Sequence, residues 1–202
     1  MKYTYLILMF LSYNFVVNAQ DLKSSHSNST DYYYQIPDSP NSYTSGNVLA
    51  RVIDGLGFRY YWATDGLRKE DLEYKPNNEA RTIIETLDHI YGLTQTITNA
   101  LRLKPNIKAA SEAISFDEKR LKTLENIKIA TEILKNSTDE DFEKYNIIFK
   151  KDDHTSEYPF WNLLNGPVAD ALWHVGQIVS LRRSSGNPFN SKVNVFSGKL
   201  KE

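Results

Sequence analysis

The sequence predicts an all-α fold, an antiparallel four-helix bundle with one long crossover connection. Three observations carry this. Four segments repeat apolar residues at three- and four-residue spacing, as one buried stripe of a helix requires. Two of them open on a hydroxyl residue followed three positions later by glutamate, Thr82 with Glu85 and Ser115 with Glu118, the signature of a capping box. A charged stretch without helical period, Asp139 to Tyr158, separates the last segment from the others and is read as the long connection.

Taken in order, residues 1–19 read as a secretory signal, with Lys2 at the positive end, a mostly apolar run from Tyr5 to Val17, and small residues at Val17-Asn18-Ala19 for cleavage. Ser12, Tyr13 and Asn14 interrupt that run, whereas a membrane-spanning helix needs about 20 mainly apolar residues. The expectation is therefore an exported chain, periplasmic or extracellular, that begins near Gln20 and keeps no stable membrane anchor after cleavage. Residues 20–46, rich in Ser, Asn, Tyr and Asp, suit a polar linker or a tail wrapped on the domain, with Tyr32, Tyr33 and Tyr34 as docking points.

The bundle is expected over residues 47–190. Its first helix runs from Asn47 to about Thr64 on Leu49, Val52, Ile53, Leu56, Tyr60 and Ala63, with Gly55 and Gly57 allowing close helix contact. The second opens at Thr82, carries Ile83, Leu87, Ile90, Leu93, Ile97 and Leu101, and ends near Leu103 before Pro105. The third opens at Ser115 and carries Leu121, Leu124, Ile127, Ile133 and Leu134 to about Asn136. Within the connection, the β-branched and aromatic patch Tyr145 to Phe149 suits an extended excursion. The fourth helix starts between Asn162 and Pro167 and continues to Ser185, with Gly186 as its stop before Pro188. Residues 191–202 form a C-terminal tail.

Composition narrows the function. The chain has 202 residues, 41% of them apolar, enough for one core but small for two. Lys and Arg total 24 against 25 Asp and Glu, so there is no basic surplus for a phosphate backbone, and nucleic acid is not expected as a partner. Cysteine is absent, which excludes thiolate nucleophiles and cysteine-ligated metals and leaves nitrogen and oxygen as ligands. No Gly-x-Ser-x-Gly elbow and no phosphate-cradling glycine loop occurs.

Of the four histidines, His26 falls in the polar tail and His154 in the charged connection, leaving His89 and His174 on helices. Asp170 and His174 are four apart, about 40° around the axis, so they share a face at the edge of the apolar stripe. His89 lies at the same margin of the second helix, with Leu93 and Ala100 within about 40° of it. Two imidazoles and a carboxylate make a three-ligand face with open positions, the kind of site that forms between facing helices of a bundle. The competing reading makes each histidine a core residue satisfied by one hydrogen bond. Asp170 is then an early-helix carboxylate favoured by the dipole or paired with Arg182 or Arg183, and Gln177 ordinary surface polarity.

The stretches Glu85-Thr-Leu-Asp-His-Ile-Tyr-Gly-Leu93 and Asp170-Ala-Leu-Trp-His-Val-Gly-Gln-Ile178 resemble the paired metal motifs of the DinB-like superfamily, the damage-inducible family and not the polymerase that shares its name. The resemblance extends from about Asn47 to Phe189, including Phe58-Arg-Tyr-Tyr-Trp-Ala63 and Arg182-Arg-Ser-Ser-Gly-Asn-Pro188. It implies a DinB-like four-helix bundle binding one divalent cation, commonly nickel or zinc, with iron or manganese as further candidates. The ligands would be one histidine on the second helix and a pair four apart on the fourth. His89 and His174 match that pattern; Asp170 departs from it, standing where the first histidine of the pair is usual.

Some relatives in that superfamily are thiol-dependent transferases or isomerases, and export argues against that branch because outer compartments are oxidising. Two functions remain open: a metal-dependent hydrolase or transferase acting on an unknown small-molecule substrate, or a non-catalytic binding or structural module stabilised by its metal. A homodimer is compatible with either.

Overall fold

The computed structural model describes residues 31–107 and 114–202; the expected signal segment at residues 1–19 lies outside the described residues. The chain is mostly helical. Four long helices, α1 (Ser45–Thr64), α3 (Ile83–Leu101), α4 (Phe116–Lys135) and α6 (Ala169–Ser184), are accompanied by two single-turn helices, α2 (Lys69–Leu72) and α5 (Phe160–Leu163). Contacts run from α1 to α4, from α4 to α3, from α3 to α6 and from α6 back to α1. Ile53, Leu56 and Phe58 of α1, Leu87 and Ile90 of α3, Leu124 and Ile127 of α4, and Ile178 of α6 fill the space between them. No described helix is long and apolar enough to cross a membrane.

The all-α expectation is corrected by two small sheets. One joins β1 (Asn106–Ile107), parallel, to β2 (Ile147–Lys151), which pairs antiparallel with β3 (His154–Tyr158); the other pairs β4 (Val193–Asn194) with β5 (Lys199–Leu200). The β-branched and aromatic patch thus becomes a hairpin strand that buries Ile147. Lys151 pairs with His154, leaving Asp152 and Asp153 as a two-residue turn, and Asp152 takes the left-handed conformation (φ 52) that aspartate tolerates.

The helix starts follow local chemistry. The Thr82 hydroxyl accepts from Glu85 N–H at 3.2 Å while a Glu85 carboxylate oxygen accepts from Thr82 N–H at 2.8 Å, a complete capping box. At Ser115 only half of it forms: the hydroxyl accepts from Glu118 N–H at 3.2 Å, but the Glu118 carboxylate pairs with Lys122 at 2.7 Å. α1 begins at Ser45, two residues before its expected start, because Thr44 caps it by accepting from Asn47 N–H at 3.2 Å.

The fourth expected helix begins at Ala169, two residues after the end of its expected starting range, and the single-turn α5 precedes it. Between α5 and α6 lies a wide turn, Leu164–Val168, in which Gly166 leaves the helical region (φ −93, ψ −106). Pro167 explains the break: it lacks an N–H and its ring disfavours the α conformation at the residue before it. At the other end Gly186 (φ 84) stops α6, and Asn187 N–H donates back to the Arg182 carbonyl at 2.9 Å.

The described part of the polar tail is packed on the helices. Tyr33 is 1% exposed, and its ring lies against Gly57, where a Cβ would come within 2.5 Å of the Tyr33 ring. The close approach at Gly57 is therefore with the tail rather than with another helix. Burial, reinforced by Asp54, pushes the Tyr33 hydroxyl far above the ordinary phenol range, so it stays protonated and donates to Asp54 Oδ1 at 3.2 Å. Asp54 Oδ2 faces the Lys135 ammonium at 3.4 Å.

Asp71, fully buried, ties the α2 region to the end of α6. It accepts from Arg68 Nε at 2.9 Å and Nη2 at 2.8 Å, from the Ser185 hydroxyl at 2.6 Å and from Asn187 Nδ2 at 2.7 Å. These donors, Arg68 foremost, hold its carboxyl well below the usual carboxylate range. A depressed native pKa stabilises the fold above the unfolded-state value of about 4 and loses that contribution as pH falls below it. Urea midpoints measured from pH 5 down to pH 2 should therefore fall more steeply for the wild type than for Asp71→Asn, which has no carboxylate to protonate. Parallel curves would remove Asp71 from the acid response.

Candidate metal centre

α3 and α6 pack side by side and carry the three candidate ligands. Each ligand immediately precedes a buried residue: His89 before Ile90, Asp170 before Ala171, His174 before Val175. One step of about 100° from a core position places a side chain at the core margin. The side chains are accordingly part-exposed, 36% for His89, 39% for Asp170 and 16% for His174.

His89 Nε2 lies 3.0 Å from Asp170 Oδ2, and His174 Nε2 lies 3.3 Å from Asp170 Oδ1. The two imidazole rings meet edge to face, centroids 4.8 Å apart at 85°. One ligand atom from each residue, taken together, lies within 4.8 Å of the others. A tetrahedral zinc with bonds of about 2.0–2.1 Å needs ligand atoms roughly 3.3 Å apart, so the donor types and spacing fit a small divalent ion after modest side-chain rotation.

Gln177, one turn further along α6, adds a constraint that its i,i+3 spacing from His174 could have signalled. Its Oε1 lies 2.8 Å from His174 Nδ1. With Nδ1–H donating there, His174 Nε2 keeps a lone pair in the neutral ring, and Asp170 Oδ1 lies 3.3 Å from it. That lone pair and the neighbouring carboxylate oxygen are two donor atoms a shared cation could use. Metal-ligating histidines are characteristically held in this way, by a partner on the ring nitrogen away from the ion.

Each imidazole also has a hydrogen-bond partner of its own, His89 in Asp170 and His174 in Gln177, as the packing reading requires. Arg182 does not reach Asp170; its guanidinium serves backbone carbonyls at the end of α1. Asp88, next to His89, pairs with Lys119. His154 lies exposed on β3, with Nε2 3.1 Å from the Ser156 hydroxyl, and His26 lies outside the described residues. No protein-family model, curated protein or solved structure matches the chain. The site is therefore read from its geometry.

Gln177→Leu, which removes the acceptor while preserving bulk, should lower zinc affinity about 10- to 100-fold in calorimetric titration, the usual cost of losing such an orienting partner. Gln177→Glu, which keeps an acceptor at the same reach, should bind within a few-fold of the wild type. Equal affinity for the leucine variant would reduce the Gln177 contact to packing.

Proposed function

We propose that His89, Asp170 and His174 hold one divalent cation, zinc or nickel first and iron or manganese next, in a DinB-like four-helix bundle formed by α1, α3, α4 and α6. The observation that carries this is the convergence of three nitrogen and oxygen donors from two packed helices to within 4.8 Å of one another. The closed circuit of helix contacts supports the bundle, with α3 beside α6. On this reading the chain is exported after cleavage near Gln20, has no nucleic-acid partner, and can pair as a homodimer.

The part-exposure of His89 and Asp170 favours an open coordination face, the arrangement that distinguishes catalytic from closed structural sites. The protein is accordingly proposed as a metal-dependent hydrolase or transferase of a small molecule. A bound ion would supply Lewis acidity, lowering the pKa of water toward neutrality. The chain supplies two imidazoles, a carboxylate and, through Gln177, the orientation of one ring. A non-catalytic module is the second reading, favoured by one fact: the ligands lie on two different helices, so an ion would cross-link α3 to α6.

Screening ester, amide and phosphoester substrates with zinc- and nickel-loaded protein, beside thermal melts, separates the two. Metal-dependent turnover lost in His174→Ala supports the enzyme. A large metal-induced rise in Tm with no turnover on any substrate supports the module.

A further inference from the structure

A groove elsewhere on the molecule shares no residue with the metal centre. The amino-terminal half of α1, the turn before β2 and α5 enclose a groove of about 750 Å³, within the range of small-molecule sites, roughly 300–1,000 Å³. Four aromatic side chains line it, Tyr43, Phe142, Phe160 and Trp161, with Val48 and Leu49 beside them. Phe142 and Phe160 meet edge to face at 4.9 Å and form a fixed wall, whereas Tyr43 and Trp161 are 97% and 75% exposed. Exposing two large rings beside an apolar wall costs free energy unless something covers them.

Charge indicates the occupant. The charged residues lining the groove among the described residues are Asp139 and Glu143, and no described lysine or arginine joins them. Between residues 139 and 144 the chain carries Asp139, Glu140, Asp141 and Glu143 against Lys144 alone, and the Lys144 ammonium is paired with Asp141 at 3.0 Å. A second copy docked by the same face would set these carboxylates against one another. Aromatic faces with carboxylates at the rim favour the opposite partner, a cation with an apolar body, because ring quadrupoles and carboxylates both attract positive charge.

We propose that this groove is a binding site for a small amphiphilic cation, an amine or quaternary ammonium carrying an alkyl or aryl body. The body lies between Val48, Leu49 and the Phe142–Phe160 wall, and the cationic head lies near Asp139 and Glu143, with Trp161 and Tyr43 over it.

The test titrates the full chain with dodecyltrimethylammonium below its micelle concentration and, in parallel, with dodecanoate, following heat and tryptophan fluorescence. The cation should bind about tenfold or more tightly than the anion of the same chain length. Asp139→Asn combined with Glu143→Gln should weaken the cation about three- to tenfold and narrow the difference. Val48→Arg, at a half-exposed helix position that tolerates substitution without loss of fold, should abolish binding of the cation. His174→Ala should bind it as the wild type does, which separates this groove from the metal centre. Equal binding of dodecanoate, no binding of either probe, or an unchanged cation affinity in the double variant would each overturn the proposal.

Discussion

Replacing His174 with alanine is expected to abolish useful metal binding while leaving the fold intact. Structural zinc sites with four ligands bind with about 10–16 kcal/mol, so each ligand contributes on the order of 2.5–4 kcal/mol, and losing one lowers affinity roughly 60- to 700-fold. The fold should survive because the side chain sits at the core margin, 16% exposed, while Ala171, Val175 and Ile178 still bury the inner face of α6. Zinc titration and far-UV circular dichroism of the variant check both halves. His89→Ala removes the ligand from the other helix and should behave alike. A variant that folds and binds zinc as tightly as the wild type would return these histidines to the role of packing residues.

Arg182 carries the second large effect, on stability. It is 2% exposed, and one guanidinium nitrogen donates to the carbonyls of Trp62, Ala63 and Asp65 at 3.2, 3.0 and 2.9 Å, while Nε donates to Asn187 at 2.8 Å. It thus satisfies the orphan carbonyls at the end of α1 and ties that end to the turn after α6. Burial pulls its pKa down, and Asp71 and Asp65 oppose that pull. Arg182→Met keeps the apolar stem but strands buried acceptors, each costing about 1–3 kcal/mol, for a total near 3–5 kcal/mol. Tm should fall by about 10 °C, and Arg182→Lys should recover part of that loss. A shift of less than about 3 °C for the methionine variant would mean that water replaces the guanidinium at little cost.

What could be read in advance and what could not divide along the range of the interactions. Thr82 and Ser115 announce helix starts because capping is chemistry between residues three apart, and Gly186 announces a stop because few other residues take its backbone conformation. Asp170 and His174 share a face through spacing alone, but their meeting with His89 depends on α6 lying beside α3, which no local pattern dictates. The hairpin of β2 and β3 was legible only in part: Ile147 to Phe149 have strand preference, whereas His154 to Tyr158 alternate nothing and form a strand by pairing with their neighbour. The break at Gly166 has no mark of its own in the sequence, because Pro167 suits the first turn of a helix as well as a turn between two. Gln177 reads from the sequence either as surface polarity or as a group that orients a metal-activated nucleophile, whereas in the structure its oxygen faces His174 Nδ1.

Elemental analysis of protein purified without chelator or histidine tag, then dialysed against zinc or nickel and desalted, decides whether His89, Asp170 and His174 hold one divalent ion. One ion per chain is expected, falling to background in the His89→Ala, His174→Ala double variant. A wild-type protein that retains no ion, or a double variant that retains as much as the wild type, would show that they do not.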